Sequence, residues 1–398
     1  MQKSTLRRAG ALFAGLAIVL ASCSSDETTK TTDAPATTEG SGETTPGTEP
    51  AGGVTCEGGA KLAFIGALSG DNGALGTNMV NGAQIAIDEF NAANPGCQVT
   101  LDSSYDSQGD PAQATPLADK IVADTSIIGL IGPGFSGETK ATMPKFEEAG
   151  LAMITPGATN AMLSQNGWKM FHRILANDDK QAPGVVKLIT ETIGGTKVGV
   201  IDDASEYGKG LADSVRSGLG AANVANAQID PKAADYSAAI SAMQSAGVDT
   251  VFYGGYYAEA AKLVTQMRDA GVTATFVAGD GVLDKAFVEN AGEAAEGAYL
   301  TATGAPADVN ADFAAAFNTK YGENPGLYSP EAYDCASVFL AAIAAGNLDR
   351  AGVAAFVESY DAPGITKQIK FDETGEPEGD AVYYYVVEGG AIAAKGLI

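Results

Sequence analysis

Short apolar runs alternate with helix-length amphipathic segments along the chain from about residue 60 onward. The runs are nearly continuous rather than alternating with polar residues, which is typical of parallel strands covered by helices on both faces. Strands are predicted over 62–68, 99–105, 127–131 and 152–154, and again over 198–201, 224–228, 250–253 and 276–278. Two such series in one chain predict an α/β protein with two doubly wound, Rossmann-like lobes.

The N-terminus has the pattern of an export signal. Three cations within the first eight residues precede an apolar segment of 13 residues, 9–21, which is too short to span ~30 Å of hydrocarbon. Residues 1–22 are therefore predicted to be a cleaved signal peptide. The sequence Leu20-Ala21-Ser22-Cys23 resembles the lipobox of bacterial lipoproteins, which implies acylation of Cys23 and an anchor on the outer face of the cell membrane. The alternative is an ordinary signal peptide followed by a chance cysteine.

The amino-acid composition changes sharply after Cys23. Residues 23–55 are rich in Thr, Glu, Gly, Ser and Pro, and such a segment buries too little surface to offset its chain entropy, so a disordered tether is predicted. The net charge is -25; removing 1–22 takes away three of 24 cations and none of 49 acids, giving 21 − 49 = -28. This surface disfavours nucleic acid and anionic membranes.

The remaining cysteines have structural interpretations. Cys56 and Cys97 each lie a few residues before a predicted strand, and adjacent parallel strands begin at the same edge of a sheet. In an exported protein this favours a Cys56–Cys97 disulfide. Cys335 lies on a predicted apolar helix and is expected to be a buried thiol. His172 is the single histidine of the sequence, and no spacing of His and Cys indicates a metal site or a cofactor.

In open parallel sheets ligands bind beyond the carboxyl ends of the strands, so the loops there carry the candidate chemistry. The loop 132–139 nearly matches a phosphate-binding loop, but Glu138 replaces the required lysine and would repel a triphosphate. Glu138 also replaces the last glycine of a nucleophile elbow. Ser136 and the free amides of the following helix remain suited to one carboxylate, although a plain strand-to-helix turn is the alternative.

Three further loops supply polar groups. Thr159, after the strand at 152–154, offers a backbone N–H and a hydroxyl, while Gly157 leaves room for a ligand against the main chain. In the second series Tyr256 follows a glycine pair, and Asp280 lies between glycines at the end of the next strand. Taken singly these residues could be a helix cap or turn formers. Together they suit a zwitterion, whose carboxylate needs donors and whose ammonium needs an acid and an aromatic face.

From about residue 60 to its end the chain resembles the leucine/isoleucine/valine-binding proteins, the type I periplasmic binding proteins of branched-chain amino acid ABC transporters. The matching stretches are 65–70, 81–83, 106–111, 153–159, 207–210, 253–256 and 293–297. The resemblance implies two lobes joined by three crossovers, with 56–176 plus 304–364 in lobe 1 and 177–303 plus 365–398 in lobe 2. It also implies a monomer that delivers its ligand to membrane permease subunits.

Carried over residue by residue, the resemblance implies the following binding residues. The ligand carboxylate would meet Ser136, Gly157 and Thr159, with Ala158 in the same loop, and the ammonium would meet the Gly157 carbonyl, Thr159 and Asp280. Tyr207 and Tyr256 would close the site, and Leu75, Gly134 and Phe135 would line the side-chain pocket. Tyr333 would match an aromatic lining position near the hinge. Three departures stand out: Asp280 where many members have Glu, Leu75 where an aromatic is common, and Gly109 and Phe135 where the family has a disulfide.

The function implied is the binding of a small aliphatic amino acid between the lobes by hinge closure, without a cofactor. The same fold could instead bind a non-zwitterionic solute such as urea, a short amide or an aromatic acid, or act as a ligand sensor. An enzyme is not indicated, because no nucleophile stands with a base at a readable spacing. His172 and Arg173, near the first predicted crossover, are expected to structure the hinge rather than to perform acid–base chemistry.

Overall fold

The structure, a computed structural model, describes residues 54–379 and 381–398. The predicted signal peptide, Cys23 and the tether up to residue 53 lie outside the described residues. Within them, two large sheets are each flanked by helices, as the alternating pattern predicts. No helix among these residues combines the length and the apolar character that crossing a bilayer requires.

The first sheet contains five parallel strands in the order β2-β1-β3-β4-β5. Its strands are β1 (Ala60–Gly66), β2 (Val99–Asp106), β3 (Ile127–Ile131), β4 (Met153–Thr155) and β5 (Phe171–Arg173). Its helices are α1 (Gly73–Ala93), α2 (Pro111–Ala123) and α3 (Ser136–Glu148), followed by a 3₁₀ turn at Ala161–Asn166. All five residues of β3 are buried, because helices cover both faces of the sheet.

The second sheet has seven strands in the order β14-β13-β10-β9-β8-β6-β7. The parallel strands are β6 (Val198–Asp202), β7 (Asn223–Gln228), β8 (Thr250–Gly254), β9 (Thr275–Ala278) and β10 (Tyr299–Ala302), and the antiparallel pair β13 (Tyr383–Glu388) and β14 (Ala391–Leu397) extends the edge. Its helices are α4 (Asp178–Lys187), continued as a π-helix over Leu188–Ile193, α5 (Glu206–Leu219), α6 (Ser237–Ala246), α7 (Tyr257–Asp269) and α8 (Lys285–Ala291). Short 3₁₀ turns lie at Gly220–Ala222, Asp280–Val282 and Gly292–Ala295.

The chain passes between the lobes three times, as predicted. After β10 it returns to the first sheet through α9 (Ala311–Tyr321), α10 (Ser329–Ala344) and α11 (Arg350–Glu358), with α10 packed on α1 and α11 on β3. The small hairpin of β11 (Asp361–Pro363) and β12 (Gln368–Lys370) precedes the final passage to β13. The residues proposed for the lobe boundaries, near 176, 303 and 364, remain predictions.

Hydrogen bonds join the connecting segments near these passages. The Thr303 hydroxyl donates to the carbonyl of Ala176 at 2.8 Å, which links the first and second connections. The buried carboxylate of Asp334 on α10 accepts from the backbone N–H of Thr366 at 3.0 Å, which ties the third connection to the same helix. These bonds tie the connecting segments to one another and to α10.

The structure contains the predicted disulfide, the predicted buried thiol and the predicted start of α2. Cys56 and Cys97 form a disulfide with Cα atoms 4.7 Å apart, just before β1 and β2. Cys335 is a buried free thiol. Asp110 caps α2 by accepting from the backbone N–H of Ala112, with proline in the first turn. The strands β5, β10, β11, β12, β13 and β14 were not predicted.

Candidate functional site

Asp280 is the buried centre of the site on the second lobe. It follows β9 and is fully buried, and its carboxylate accepts hydrogen bonds from the hydroxyls of Tyr207, at 2.6 Å, and Tyr328. The Tyr207 hydroxyl in turn accepts from the backbone N–H of Gly281 at 3.0 Å. Burial raises the pKa of Asp280, and the two tyrosine hydroxyls partly oppose that shift. The carboxyl is thus held in place away from the protein surface.

Tyr207 reaches Asp280 from the first turn of α5. Ser205 caps this helix by accepting from the backbone N–H of Gly208 at 2.8 Å, so the helix starts immediately before the tyrosine. A Cβ atom added to Gly279 would lie 2.5 Å from the Tyr207 hydroxyl. The glycine before Asp280 therefore makes the space in which the tyrosine contacts the acid.

Tyr328, which sequence reasoning missed, reaches Asp280 from the other lobe. It lies directly before α10 with a φ of +67°, an uncommon value for a residue with a side chain and one that clusters at functional sites. Its ring borders Gly157, where an added Cβ would lie 3.2 Å from it. Tyr328 thus joins the first-lobe loop to the second-lobe acid. An aromatic before the Ser329-Pro330 helix start was the available signal.

Tyr333, predicted to line the pocket, is not brought to this cluster. Its hydroxyl donates to Glu89 of α1 at 2.7 Å, and its ring contacts Phe313 of α9 edge-on at 5.3 Å between centroids. Five positions along an α-helix rotate the side chain by about 140°, so Tyr333 points away from the side that Tyr328 occupies. The sequence motif located the helix correctly but not the residue on it.

The loop after β3 is built around Glu138. Its buried carboxylate accepts from the Ser107 hydroxyl and, at 3.1 Å, from the backbone N–H of Phe135. Burial raises the pKa of Glu138 to about 7. This acid, which replaces the lysine of a phosphate loop, therefore holds the start of α3 in place. Ser136 is the first residue of α3, and its oxygen accepts from the Asn160 N–H at 3.2 Å, which leaves its hydroxyl proton free to be donated.

The loop after β4 is fixed from both sides. The Thr155 hydroxyl donates to the Pro133 carbonyl at 2.7 Å and accepts from the N–H of Ala158 at 3.0 Å. The guanidinium of Arg173 donates to the carbonyls of Ala158, at 2.7 Å, and Asn160, at 3.0 Å. This loop carries the predicted residues 157–159, so its shape is set before any ligand enters.

Arg173 also connects this loop to the last crossover. It is fully buried and pairs through two nitrogens with the carboxylate of Glu376. Burial lowers the pKa of the neighbouring His172 to about 4, so that imidazole is neutral at pH 7. Both residues therefore act in the framework, which agrees with the structural role expected for them.

Gly157 and Gly134 are close-approach positions. A Cβ added to Gly157 would lie 2.6 Å from the Met79 methyl group and 2.9 Å from the Gly134 carbonyl oxygen. A Cβ added to Gly134 would lie 2.8 Å from the Met79 sulfur. Leu75 is buried in the first turn of the same helix, α1, beside Ala74, whose N–H donates to the hydroxyl of Tyr257 on the second lobe at 3.3 Å. Met79 therefore places an apolar side chain against both glycines.

Aromatic rings close the site between the lobes. Phe135 of the first lobe stacks on Tyr256 of the second, with ring centroids 4.5 Å apart. Tyr256 also lies 5.2 Å from the ring of Tyr207. Across the same boundary Lys140 pairs with Glu206 at 2.9 Å. The lobes are therefore in contact over the predicted ligand position, which is the closed arrangement.

Thr159 and Asp178 carry polar atoms without partners. Thr159 is fully buried, and neither its hydroxyl oxygen nor either carboxyl oxygen of Asp178 has a hydrogen-bond partner among the described residues. Burial, and next the nearby charge of Asp280, raise the pKa of Asp178 to about 8; the Thr159 hydroxyl opposes the shift without reaching hydrogen-bond geometry. Sequence reasoning missed Asp178, whose one signal was an acid in the first turn of α4.

A cavity of about 1390 Å³ opens between the lobes beside this cluster. Asn78, Asp284 and Glu323 are among its lining residues, and Asp280, Tyr207 and Thr159 are not. The buried cluster thus does not contribute to the lining of this cavity. Among the described residues no group of His, Cys, Asp and Glu has the geometry to hold a metal ion.

Known proteins with similar sequences belong to families of two-lobed binding proteins, in agreement with this architecture. Residues 59–391 match the model of the family described as periplasmic binding protein. The leucine-specific-binding protein of Salmonella typhimurium is 37% identical over 246 residues, which cover 61% of this chain and 66% of that protein. A Leu/Ile/Val-binding protein of Rhizobium johnstonii is 31% identical over 343 residues, covering 84% of this chain and 93% of that protein.

A solved structure agrees over nearly its whole length. The substrate-binding protein of the branched-chain amino acid transporter of Streptococcus pneumoniae, in complex with isoleucine, superposes with a TM-score of 0.79 at 28% identity. The superposition covers 85% of this chain and 99% of that one. The two-lobed architecture is thus shared with a binding protein whose ligand is an amino acid.

Proposed function

The chain belongs to the periplasmic binding protein family, and from that premise we propose that it is the solute-binding component of an ABC importer with a small aliphatic amino acid as its ligand. The relatives named above bind leucine or branched-chain amino acids, and their family has a solute-binding role. The proposal makes the chain a carrier without a catalytic step. Its ligand would lie between the lobes.

The observation that carries this proposal is the opposite polarity of the two sides of the closed site. The first lobe offers donors, namely the hydroxyl proton of Ser136 and the free amides at the start of α3. The second lobe offers the buried carboxyl of Asp280. Tyr328 contacts both sides, since it borders Gly157 and donates to Asp280. A ligand with an anion at one end and a cation at the other satisfies both.

The surroundings favour an aliphatic side chain. Leu75 is buried and Met79 lies against Gly134 and Gly157, so the first-lobe wall is apolar. The stacked rings of Phe135 and Tyr256 close the other side. Because burying a CH₂ group contributes roughly 0.8 kcal/mol, such walls select for hydrocarbon while the charged ends fix orientation.

Hinge closure supplies the mechanism. The ligand carboxylate binds the preformed loops of the first lobe, which Glu138 and Arg173 hold in place. Rotation at the three crossovers then brings Tyr207, Tyr256 and Asp280 onto the ammonium. A ligand shifts the open–closed equilibrium only because it binds the closed form more tightly, which here means contacts from both lobes at once.

A non-zwitterionic solute is the second candidate. Asp280 already accepts from two tyrosine hydroxyls, and its pKa is raised by burial, so a neutral carboxyl facing a neutral polar ligand is chemically compatible. Calorimetric titration separates the two. We expect binding of L-leucine, L-isoleucine, L-valine or L-alanine, and loss of binding for the matching amides and deaminated acids. Equal affinity for an amino acid and its deaminated acid would contradict the proposal that the site recognises both the carboxylate and the ammonium of its ligand.

Location and partners complete the proposal. Export by residues 1–22, acylation of Cys23 and a tether up to residue 55 would hold a monomer at the outer face of the membrane, next to its permease subunits. Replacing Cys23 by serine should abolish incorporation of labelled palmitate and release the protein from the membrane fraction. Unchanged labelling would show that the anchor is elsewhere.

A further inference from the structure

We propose that Asp178 is a second carboxyl of the ammonium subsite, so that the site accepts the three N–H groups of a primary ammonium with Asp178, Asp280 and the Thr159 hydroxyl. The inference rests on the proposed function and adds a specificity to it. A primary amine matches three acceptors, whereas an N-methylated amine has one N–H fewer. Asp178 is then a specificity-determining residue.

The geometry places unpartnered groups side by side. Asp178 is the first residue of α4, with 2% of its surface exposed. Its backbone N–H donates to the Thr159 carbonyl at 2.9 Å, which fixes the two residues next to each other across the lobe boundary. Both Asp178 oxygens and the Thr159 hydroxyl oxygen lack partners among the described residues. Buried polar groups are almost always hydrogen-bonded, so three such atoms together indicate a missing donor.

Structural roles for this carboxyl are already filled by other residues. Asn177 caps α4 by accepting from the N–H of Asp179, and the exposed Asp179 supplies negative charge to the same first turn. The nearest guanidinium, Arg173, donates to Glu376 and to two backbone carbonyls rather than to Asp178. A buried acid that neither caps its helix nor pairs with a cation costs stability, which is typical of a functional position.

The charges around Asp178 define what it can bind. Asp280 faces it from the loop after β9 and disfavours its ionisation, Arg173 faces it from β5 and favours ionisation, and Asp179 disfavours it from the same helix. With burial these groups bring the pKa of Asp178 to about 8. An ammonium placed between Asp178 and Asp280 compensates both carboxylates, so binding near neutral pH should release a proton. Affinity should therefore increase as the pH rises from 6 toward 8.

The test compares Asp178→Asn with Asp179→Asn, a matched change one residue away at an exposed position of the same turn. L-leucine, L-isoleucine, L-valine and L-alanine, with their N-methyl derivatives, are titrated by calorimetry at pH 7 in two buffers of different ionisation enthalpy. For the wild type we expect proton release and at least about tenfold preference for the primary amine. Asp178→Asn should weaken binding about tenfold or more and reduce both effects. Asp179→Asn should leave the affinity and the preference for the primary amine unchanged, and should change proton release only through its smaller effect on the pKa of Asp178.

Stability of the unliganded protein separates a binding role from a structural one. Because the carboxyl has no partner to lose, Asp178→Asn should keep or raise the melting temperature as it weakens binding. A lowered melting temperature, or unchanged affinity and proton release, would overturn the role of Asp178 while leaving amino acid binding intact. If the wild type releases no proton on binding, that result alone would overturn the role of Asp178. Failure of the wild type to bind any amino acid would overturn the proposed function as well.

Discussion

Removal of the Asp280 carboxylate is the change that most directly tests the binding mechanism. Asp280 is fully buried and would give the ammonium a charge-assisted hydrogen bond, a contact worth roughly 1.5–3 kcal/mol. Asp280→Asn should therefore raise the Kd for the preferred amino acid about 10- to 150-fold. The substitution retains one acceptor oxygen for the hydroxyls of Tyr207 and Tyr328, so the local packing should survive.

The assay is isothermal titration of the variant with the preferred amino acid and with its deaminated acid. Without the carboxylate the variant should lose most of its discrimination between the amino acid and its deaminated acid, because the substitution alters only the part of the site that contacts the ammonium. Asp269→Asn, at an exposed position at the end of α7, serves as the matched control and should bind like the wild type. A Kd for Asp280→Asn within about threefold of the wild-type value would refute Asp280 as the ammonium partner.

Three further predictions concern stability. Burial raises the pKa of Glu138 to about 7, so the stability that the protonated side chain contributes is lost as the pH rises from about 4.5 toward 7. The free energy of unfolding of Glu138→Gln, measured with urea, should equal that of the wild type at pH 4 and exceed it by up to about 3 kcal/mol at pH 8. Replacing Cys56 and Cys97 by serine opens a loop with a sequence separation of 41 and should cost about 4 kcal/mol, lowering the melting temperature by about 5 °C; no difference between oxidised wild type and variant would contradict this. Gly157→Ala would place a methyl 2.6 Å from the Met79 methyl group and should cost about 1–3 kcal/mol and weaken ligand binding, checked by calorimetry and thermal melting.

The fold was largely predictable because its strands are buried on both faces. Such strands appear in the sequence as continuous apolar runs, and β3 was predicted over the residues that form it, Ile127–Ile131. Of the strands that were missed, β5 and β14 lack that signal, whereas β13 has a continuous apolar run over Tyr383–Val387 and was overlooked. In β14 most residues are small or exposed, and β5 contains only Phe171–Arg173 and carries two polar side chains. An edge strand or a three-residue strand gains its pairing from the sheet rather than from its own pattern.

The site was predictable only where it follows strand ends. The strand-end rule located Asp280, Tyr256 and Thr159, because carboxyl ends of parallel strands share one edge. Tyr328 and Asp178 lie at the starts of α10 and α4, where a polar or aromatic residue is an ordinary feature of a helix start. The roles proposed for them rest on contacts across the lobe boundary, which a one-dimensional pattern does not contain. The misplacement of Tyr333 has the same origin.

The acids of the closed site also explain why closure should depend on a ligand. Asp178 and Asp280 lie near each other in a buried region, and the pKa of each is raised, so closing the lobes without a compensating cation opposes their ionisation. The neighbouring Arg173 pairs with Glu376 and so does not supply that cation in full. Under the proposed function, an ammonium that enters with the ligand would supply it only when both lobes are in contact. The charge proposed for recognition would therefore also give the ligand its higher affinity for the closed form, which is the thermodynamic requirement for a binding protein that closes on its solute.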